Sequence, residues 1–466
     1  MNTAVKSARP FSLRNLTWFM IGAFFIIVAA RFITDTKLIY LLILVSPLLI
    51  YLVIKKTFVF PFGLYLVLVP FDALLSVSSS GTGTTITRLL GILIICALLV
   101  KGLTERKIRF KPVNPAAKWM LLFIVYGVLS SLWAIEAAMT FSVLPSLTGL
   151  LILYLVATSY KIKENEFGIL KVCLLIGGAL AGAITSYLFI SGQFYFGMGT
   201  RATLFLGERG AINPNSLAYD LLFPVAISIE MLVFGKHGKI TKGLLLLVFA
   251  CLLFSIIATG SRKNMLAVGA ILLTYAFYSR EKRTLLLVCV LIAVVGLYPF
   301  ISDSFLSRWD TAIESRGSGR LDIWTVGLRS LQKYWLLGVG LANFPNAYTE
   351  FADYAPNYVG LYRAAHNLYL EIVVELGLTG LMLMAATFWQ HYKAIRPLSG
   401  KYNGNQVMLR AVFWAMLISN FFGDFILGKS FWLLWMLIIM YSNISKSGVQ
   451  GRTRLTAPGF ASDYRQ

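Results

Sequence analysis

The feature that most constrains this chain is its succession of apolar runs, each close to the ~20 residues that a helix needs to cross a bilayer. They fall at about 17–33, 38–54, 58–76, 86–100, 117–134, 142–160, 168–190, 215–234, 243–259, 264–279, 284–301, 366–388, 407–422 and 430–443. Backbone in hydrocarbon must satisfy its own hydrogen bonds, and a run of this length does so as a helix. With 58% apolar and 13% charged residues, a string of soluble domains is excluded. The expected fold is an all-α polytopic membrane protein of about 12–14 transmembrane helices. We expect one membrane domain over residues 1–445 and a polar, disordered tail over 446–466. The basic start, residues 1–16, lacks a small-residue cleavage site after its apolar run, so a retained first helix is expected.

A net charge of +22 invites a nucleic-acid partner, and its distribution argues against one. Segments 1–16, 55–57, 101–118, 161–171, 235–242, 279–283, 391–410 and 443–466 hold 28 of the 42 Lys and Arg but only 5 of the 20 Asp and Glu. This is the positive-inside asymmetry, and it predicts cytoplasmic N- and C-termini. GxSxG and HExxH patterns are absent, and the outer loops hold no DxD pair, so neither a metal-held nucleotide sugar nor a metal site is expected. No cofactor is implied. Cys96, Cys173, Cys251 and Cys289 lie in apolar runs and imply no disulfide framework.

The longest polar break, about 302–365, falls on the outer side between the eleventh and twelfth runs. Leu321, Trp324, Leu328, Leu331 and Trp335 recur at helical spacing, with Asp322, Arg329 and Lys333 opposite. A helix lying on the membrane surface, apolar side down, is expected there. It starts near Ser318 or Gly319 with Arg320 in its first turn, and Gly338–Gly340 ends it before a turn at 343–345.

Arginine should be scarce on the outer side, yet Arg201, Arg209, Arg262, Arg320 and Arg363 lie there with His366. A guanidinium matches phosphate oxygens with a fixed fork of donors. A helix start at Arg320 would add backbone N–H groups for an anion. The pattern points to a lipid-carried phosphate or diphosphate; the competing reading is that the arginines snorkel to headgroups or pair with Asp303, Asp310 or Glu314. His366 suits proton transfer from a hydroxyl near neutral pH, and we place His237 and His391 in cytoplasmic loops. Asp220, Glu230, Glu371 and Glu375 fall within spans, where a charge is costly. Glu371 and Glu375 share one helix face, suited to orienting His366 or an arginine.

On five stretches the chain resembles the O-antigen ligase and polymerase superfamily of bacterial surface-polysaccharide assembly. They are NPNSLA at 213–218, GSRKNML at 260–266, GSGRLDIW at 317–324, LLGVGLANF at 336–344 and AHNLYLEIVVELGLTG at 365–380. The last matches at His366, Asn367, Tyr369, Leu370, Glu375, Gly377 and Gly380. The resemblance covers about 200–385 and implies a type C, metal-independent inverting glycosyltransferase, with the large helical loop on the periplasmic side of the inner membrane. Its donor is a glycan on undecaprenyl diphosphate. Arg262 and Arg320 would hold the diphosphate and His366 would activate or position the acceptor hydroxyl. A third arginine precedes the NPN stretch, and both Arg201 and Arg209 qualify. Asn367, Tyr369 and Glu375 would support the site. A ligase delivers the glycan to lipid A–core, whereas a polymerase delivers it to a lipid-linked repeat unit. The long loop before His366 and the three runs after it incline the reading to a ligase. A transporter of lipid-linked sugars would instead show inverted repeats and charges spread through the spans.

Overall fold

The computed structural model describes residues 59–75, 85–105, 114–160, 162–195, 200–205, 211–279, 319–357, 360–397 and 402–455. The expected spans at 17–33, 38–54 and 284–301, the loop segment 302–318, Arg209, Cys289 and the tail beyond 455 lie outside the described residues. Within them the chain is helical: α1 (Val59–Leu68), α2 (Ile86–Glu105), α3 (Pro115–Leu129), α4 (Ala137–Ser159), α5 (Glu164–Ile190), α6 (Pro214–Asp220) and α7 (Leu222–Phe234). There follow α8 (Lys239–Ala258), α9 (Arg262–Tyr278), α10 (Arg320–Tyr334), α11 (Phe344–Glu350), α12 (Leu368–Ala394), α13 (Gly404–Asn420) and α14 (Lys429–Leu455). Among the described residues, six helical stretches are long and apolar enough to cross a membrane: Pro115–Leu132, Ala137–Ser159, Glu164–Ile190, Pro214–Phe234, Lys239–Ala258 and Leu368–Ala394. The protein is polytopic and all-α.

Helix starts are set by local chemistry. Asn114 accepts from the N–H of Ala116 ahead of Pro115, Asn213 accepts from Asn215 ahead of Pro214, and Asn403 forms a reciprocal capping box with Gln406. Each cap satisfies donors that the first helical turn leaves without partners. The helices then pack α9 on α13, α3 on α12, α5 on α1 and α8, α7 on α13, and α14 on α4. Fully buried Trp432, Trp435, Tyr154, Tyr219 and Tyr275 fill the core. A second, smaller core of Ile323, Val326, Phe344, Tyr348, Leu370 and Val374 seats α10 and α11 against the first turns of α12. This seat places Arg320 and His366 at one end of the bundle.

α12 is broken at Gly377, whose φ of 67° and ψ of −170° suit glycine alone. The connection from α10 to α11 lies against the break and takes up its backbone groups. Val339 N–H donates to Val374 O (3.0 Å), Gly340 N–H to Glu375 O (2.8 Å) and Leu378 N–H to Trp335 O (2.8 Å). Glu375 completes the clamp, accepting from Ala342 N–H (2.8 Å) and Phe344 N–H (3.1 Å) through its two oxygens. The approach is so close that a Cβ on Gly338 would lie 2.2 Å from Glu375 O, and one on Gly377 2.1 Å from Leu336 O.

α10 begins and ends where its periodicity predicts. The side that meets the protein is Asp322, Ile323, Val326, Gly327 and Ser330, while Leu321, Leu328 and Trp335 are exposed. Asp322, expected on the polar face, is buried, with Asn357 Nδ2 donating to it at 3.3 Å. The small Gly327 lets α10 approach Leu370 of α12 and Phe344 of α11 closely. His391 departs from expectation too. It lies inside α12, fully buried, bonded to Tyr154 OH at 3.0 Å and to Thr387 O at 2.8 Å. Of the acids expected in spans, Glu230 pairs with Lys171 at 2.7 Å, and Asp220 accepts from Ser430 Oγ at 2.6 Å.

Gly377→Ala is expected to lower stability by roughly 2 kcal/mol or more, through the disallowed backbone and the contact with Leu336 O. Thermal unfolding in detergent checks this; a melting temperature unchanged from wild type would mean the break tolerates a side chain.

Candidate functional site

His366 sits in the turn between the α11 region and α12, and its backbone φ is 49°, in the left-handed region that a β-carbon disfavours. Three contacts hold that turn. Trp324 of α10 donates Nε1–H to Ala365 O at 2.9 Å, and Leu368 N–H donates to Gly423 O at 2.9 Å. Asn367 Oδ1 accepts from Tyr369 N–H at 3.0 Å and Leu370 N–H at 3.1 Å, capping α12. Tyr369 in turn donates its hydroxyl to Leu417 O at 2.9 Å on α13. The strained residue is thus pinned by α10, α12 and the 421–428 loop, with its imidazole half exposed.

Around it the structure gathers the arginines named from sequence. Arg320 is the first residue of α10, behind Gly319 in the left-handed conformation. Arg262 opens α9, close enough to Arg320 for the two charges to act on each other. Arg201 is fixed by two bonds, Nε–H to Thr259 O and Nη2–H to Asn215 Oδ1, each 2.8 Å. The NPN stretch therefore serves to orient an arginine. Asn264 Nδ2 ties the same stretch to α9 by donating to Asn215 O at 2.8 Å. Glu375 is not at His366: its carboxylate is spent on the backbone of Ala342 and Phe344, so it supports the site through the clamp on α12. Glu371 is half-buried one turn below Asn367, with its Oε2 atom buried and lacking a hydrogen-bond partner.

Two further residues were missed in the sequence. Lys263 is buried beside Arg262, its ammonium 4.0 Å from the centre of the Phe425 ring and within electrostatic reach of Arg320 and Arg201. Asp424 lies with its Oδ1 4.0 Å from His366 Nδ1 and acts on Lys263 and Arg320 as well. Each had a signal: Lys263 a cation inside GSRKN, Asp424 an acid in the short loop between two apolar runs. Neither has periodicity to mark it.

Among the described residues, Asp424 is the one carboxylate acting on His366, where Arg320, Lys263 and Arg363 also bear. Partial burial pulls the His366 imidazole below its ordinary value, Asp424 opposes, and the three cations add to the lowering. Burial and the Arg262 charge likewise loosen the proton of Arg320, though a guanidinium remains charged. The site is an excess of fixed positive charge around a histidine held neutral. It suits a di-anion beside a proton acceptor. Among the described residues, no three His, Cys, Asp or Glu side chains come together as metal ligands would.

Fold and site define a polytopic membrane protein with a basic, histidine-containing centre at one end of its bundle. Residues 247–385 match the family model of the O-antigen ligase, a stretch that includes Arg262, Lys263, Arg320, His366 and the whole α12 break. The chain carries an O-antigen ligase family domain there, as its motifs had indicated. A Rickettsia conorii protein named "Putative polysaccharide ligase" is 22% identical over 327 residues, 68% of this chain and 75% of that protein.

The reaction of His366 with diethyl pyrocarbonate, followed by peptide mass spectrometry, should titrate with a midpoint below the ordinary 6.5 of imidazole. Because Asp424 favours the charged ring, Asp424→Asn should move the midpoint lower still. A midpoint raised by that substitution would show that Asp424 does not act on the ring.

Proposed function

We propose that the protein is an inverting, metal-independent glycosyltransferase of the inner membrane. It moves a glycan from undecaprenyl diphosphate to lipid A–core on the periplasmic side. The observation that carries the reading is a linked set of cations: Arg320 and Lys263 act on His366, Arg262 acts on Arg320, and Arg201 acts on Lys263. A lipid diphosphate is an activated leaving group, so the site needs no nucleotide. It needs stabilisation of the charge that develops as the bond to the anomeric carbon breaks.

In this reading His366 Nε2 takes the acceptor hydroxyl proton as that oxygen attacks the anomeric carbon from the face opposite the diphosphate. The anomeric C–O bond breaks, and its electron pair leaves on the diphosphate, held by Arg262 and Arg320. Arg201 is pre-oriented by Thr259 and Asn215 and needs no reorganisation to join them. Asp424, facing Nδ1, favours the tautomer with its proton on that atom and stabilises the imidazolium formed at attack. The lowered basicity of the ring keeps it neutral, and thus able to accept a proton, at the pH of the periplasm. The positive-inside distribution of charge supports placing this end of the bundle outside. The same step with a lipid-linked repeat unit as acceptor is polymerisation; the name of the Rickettsia relative favours ligation.

His366→Ala should abolish transfer while leaving the protein in the membrane. Arg320→Lys should lose most of it, because a point charge cannot replace a bidentate fork. Surface-glycan gels of a deletion strain complemented by each variant, with the lipid-linked pool measured beside them, decide both. Bare core with accumulated long-chain lipid-linked glycan fits the ligase. Core capped by one repeat unit fits the polymerase, and an unchanged profile overturns both readings.

A further inference from the structure

A second basic site lies at the end of α12 opposite His366. At 1.5 Å per residue the 27 residues of α12 set an upper bound of about 40 Å between the two ends, comparable with the depth of a bilayer with its headgroups. There the start of α3, the end of α12 and one face of α14 enclose a cavity of about 180 Å³. Lys393 and Arg396 enter it from α12 and the turn after it, and Lys446 from α14; Gln390 and Ser445 add neutral polar groups, and no lining residue is acidic. Asn114 also faces the cavity, but its carboxamide oxygen already caps Ala116 N–H.

Lys393, Arg396 and Lys446 are all exposed at the cavity, within reach of an anion from outside. Among the described residues, none of the three takes part in an ion pair; Lys393 and Arg396 rest instead against Trp389, 5.0 and 5.5 Å from its ring centre. Trp389 is half exposed, as an indole at the headgroup level of a membrane is. From the cavity mouth, α3 runs into the membrane presenting exposed Leu121, Leu122 and Val125, an apolar track along which acyl chains can lie. The bland alternative, cations scattered by the positive-inside rule, does not account for three of them converging on one cavity from segments about fifty residues apart.

We propose that this cavity binds a phosphate group, and that its source is the headgroup of an anionic phospholipid. The site is remote from the candidate catalytic centre and independent of the reading given for it. A basic, polar-lined pocket between membrane helices, with an exposed apolar helix face beside it, matches an anionic lipid better than a soluble anion.

The test uses the full chain in neutral detergent and native mass spectrometry, titrating phosphatidylglycerol, phosphatidylcholine and inorganic phosphate separately. Phosphatidylglycerol should bind on the order of tenfold or more tightly than phosphatidylcholine. The triple variant K393Q/R396Q/K446Q should lose that preference while keeping its monodisperse elution. Should the triple variant aggregate, Lys446→Gln alone should weaken the preference, because Lys446 comes from a different helix. Millimolar inorganic phosphate should leave the bound lipid in place. Equal binding of the two lipids by wild type, or an undiminished preference in either variant, overturns the site. Displacement of the lipid by inorganic phosphate overturns the assignment of its source.

Discussion

Backbone that leaves the helical path inside a membrane must find partners in the protein, and the break in α12 at Gly377 depends on that requirement. The strap from Trp335 to Phe344 supplies those partners, and Glu375 supplies two acceptors back to the strap. Because the bonds run both ways, neither element is stable in this form without the other. The arrangement fixes α10 over the first turns of α12, and with it the distance between Arg320 and His366. A scaffold closed by many backbone bonds is rigid, and two residues proposed to act together from separate elements need such rigidity.

The candidate site stores unfavourable terms that the scaffold holds in place. Cations lie against one another at Arg262, Lys263 and Arg320, Lys263 is buried with an aromatic ring for a neighbour, and His366 has a backbone that favours glycine. Each is costly in the empty site. A di-anion entering among the cations relieves the repulsion, so the charge cluster favours ligand binding at the expense of stability. Glu375 and Asn367, by contrast, lie among strong local bonds and serve the architecture.

Much of this was legible in the sequence. Hydropathy and the length of the apolar runs define the spanning helices α3 to α5, α8 and α12, since a bilayer imposes a length on any helix that crosses it. Arginines on the outer side and a lone outer histidine marked Arg201, Arg262, Arg320 and His366. Three things were hidden. The burial of Asp322 on α10 against Asn357 is reported by no hydropathy pattern. His391 was read as a loop residue because α12 extends to Ala394, beyond its last clearly apolar turn, and buries the ring against Tyr154. Asp424 was invisible because its meaning depends on which residue it meets, and that residue is 58 positions away along the chain.

The sequence by itself determined that the chain is a membrane-spanning helical protein, the asymmetry of its charge, and the residue types available for chemistry. These follow from composition and spacing, which act locally and do not need the rest of the fold. The tertiary structure decided the partnerships: Glu375 with the strap, Asn215 with Arg201, Asp424 with His366. Those depend on how helices far apart in sequence pack, and packing is set by shape and close approach, which a one-dimensional pattern does not encode.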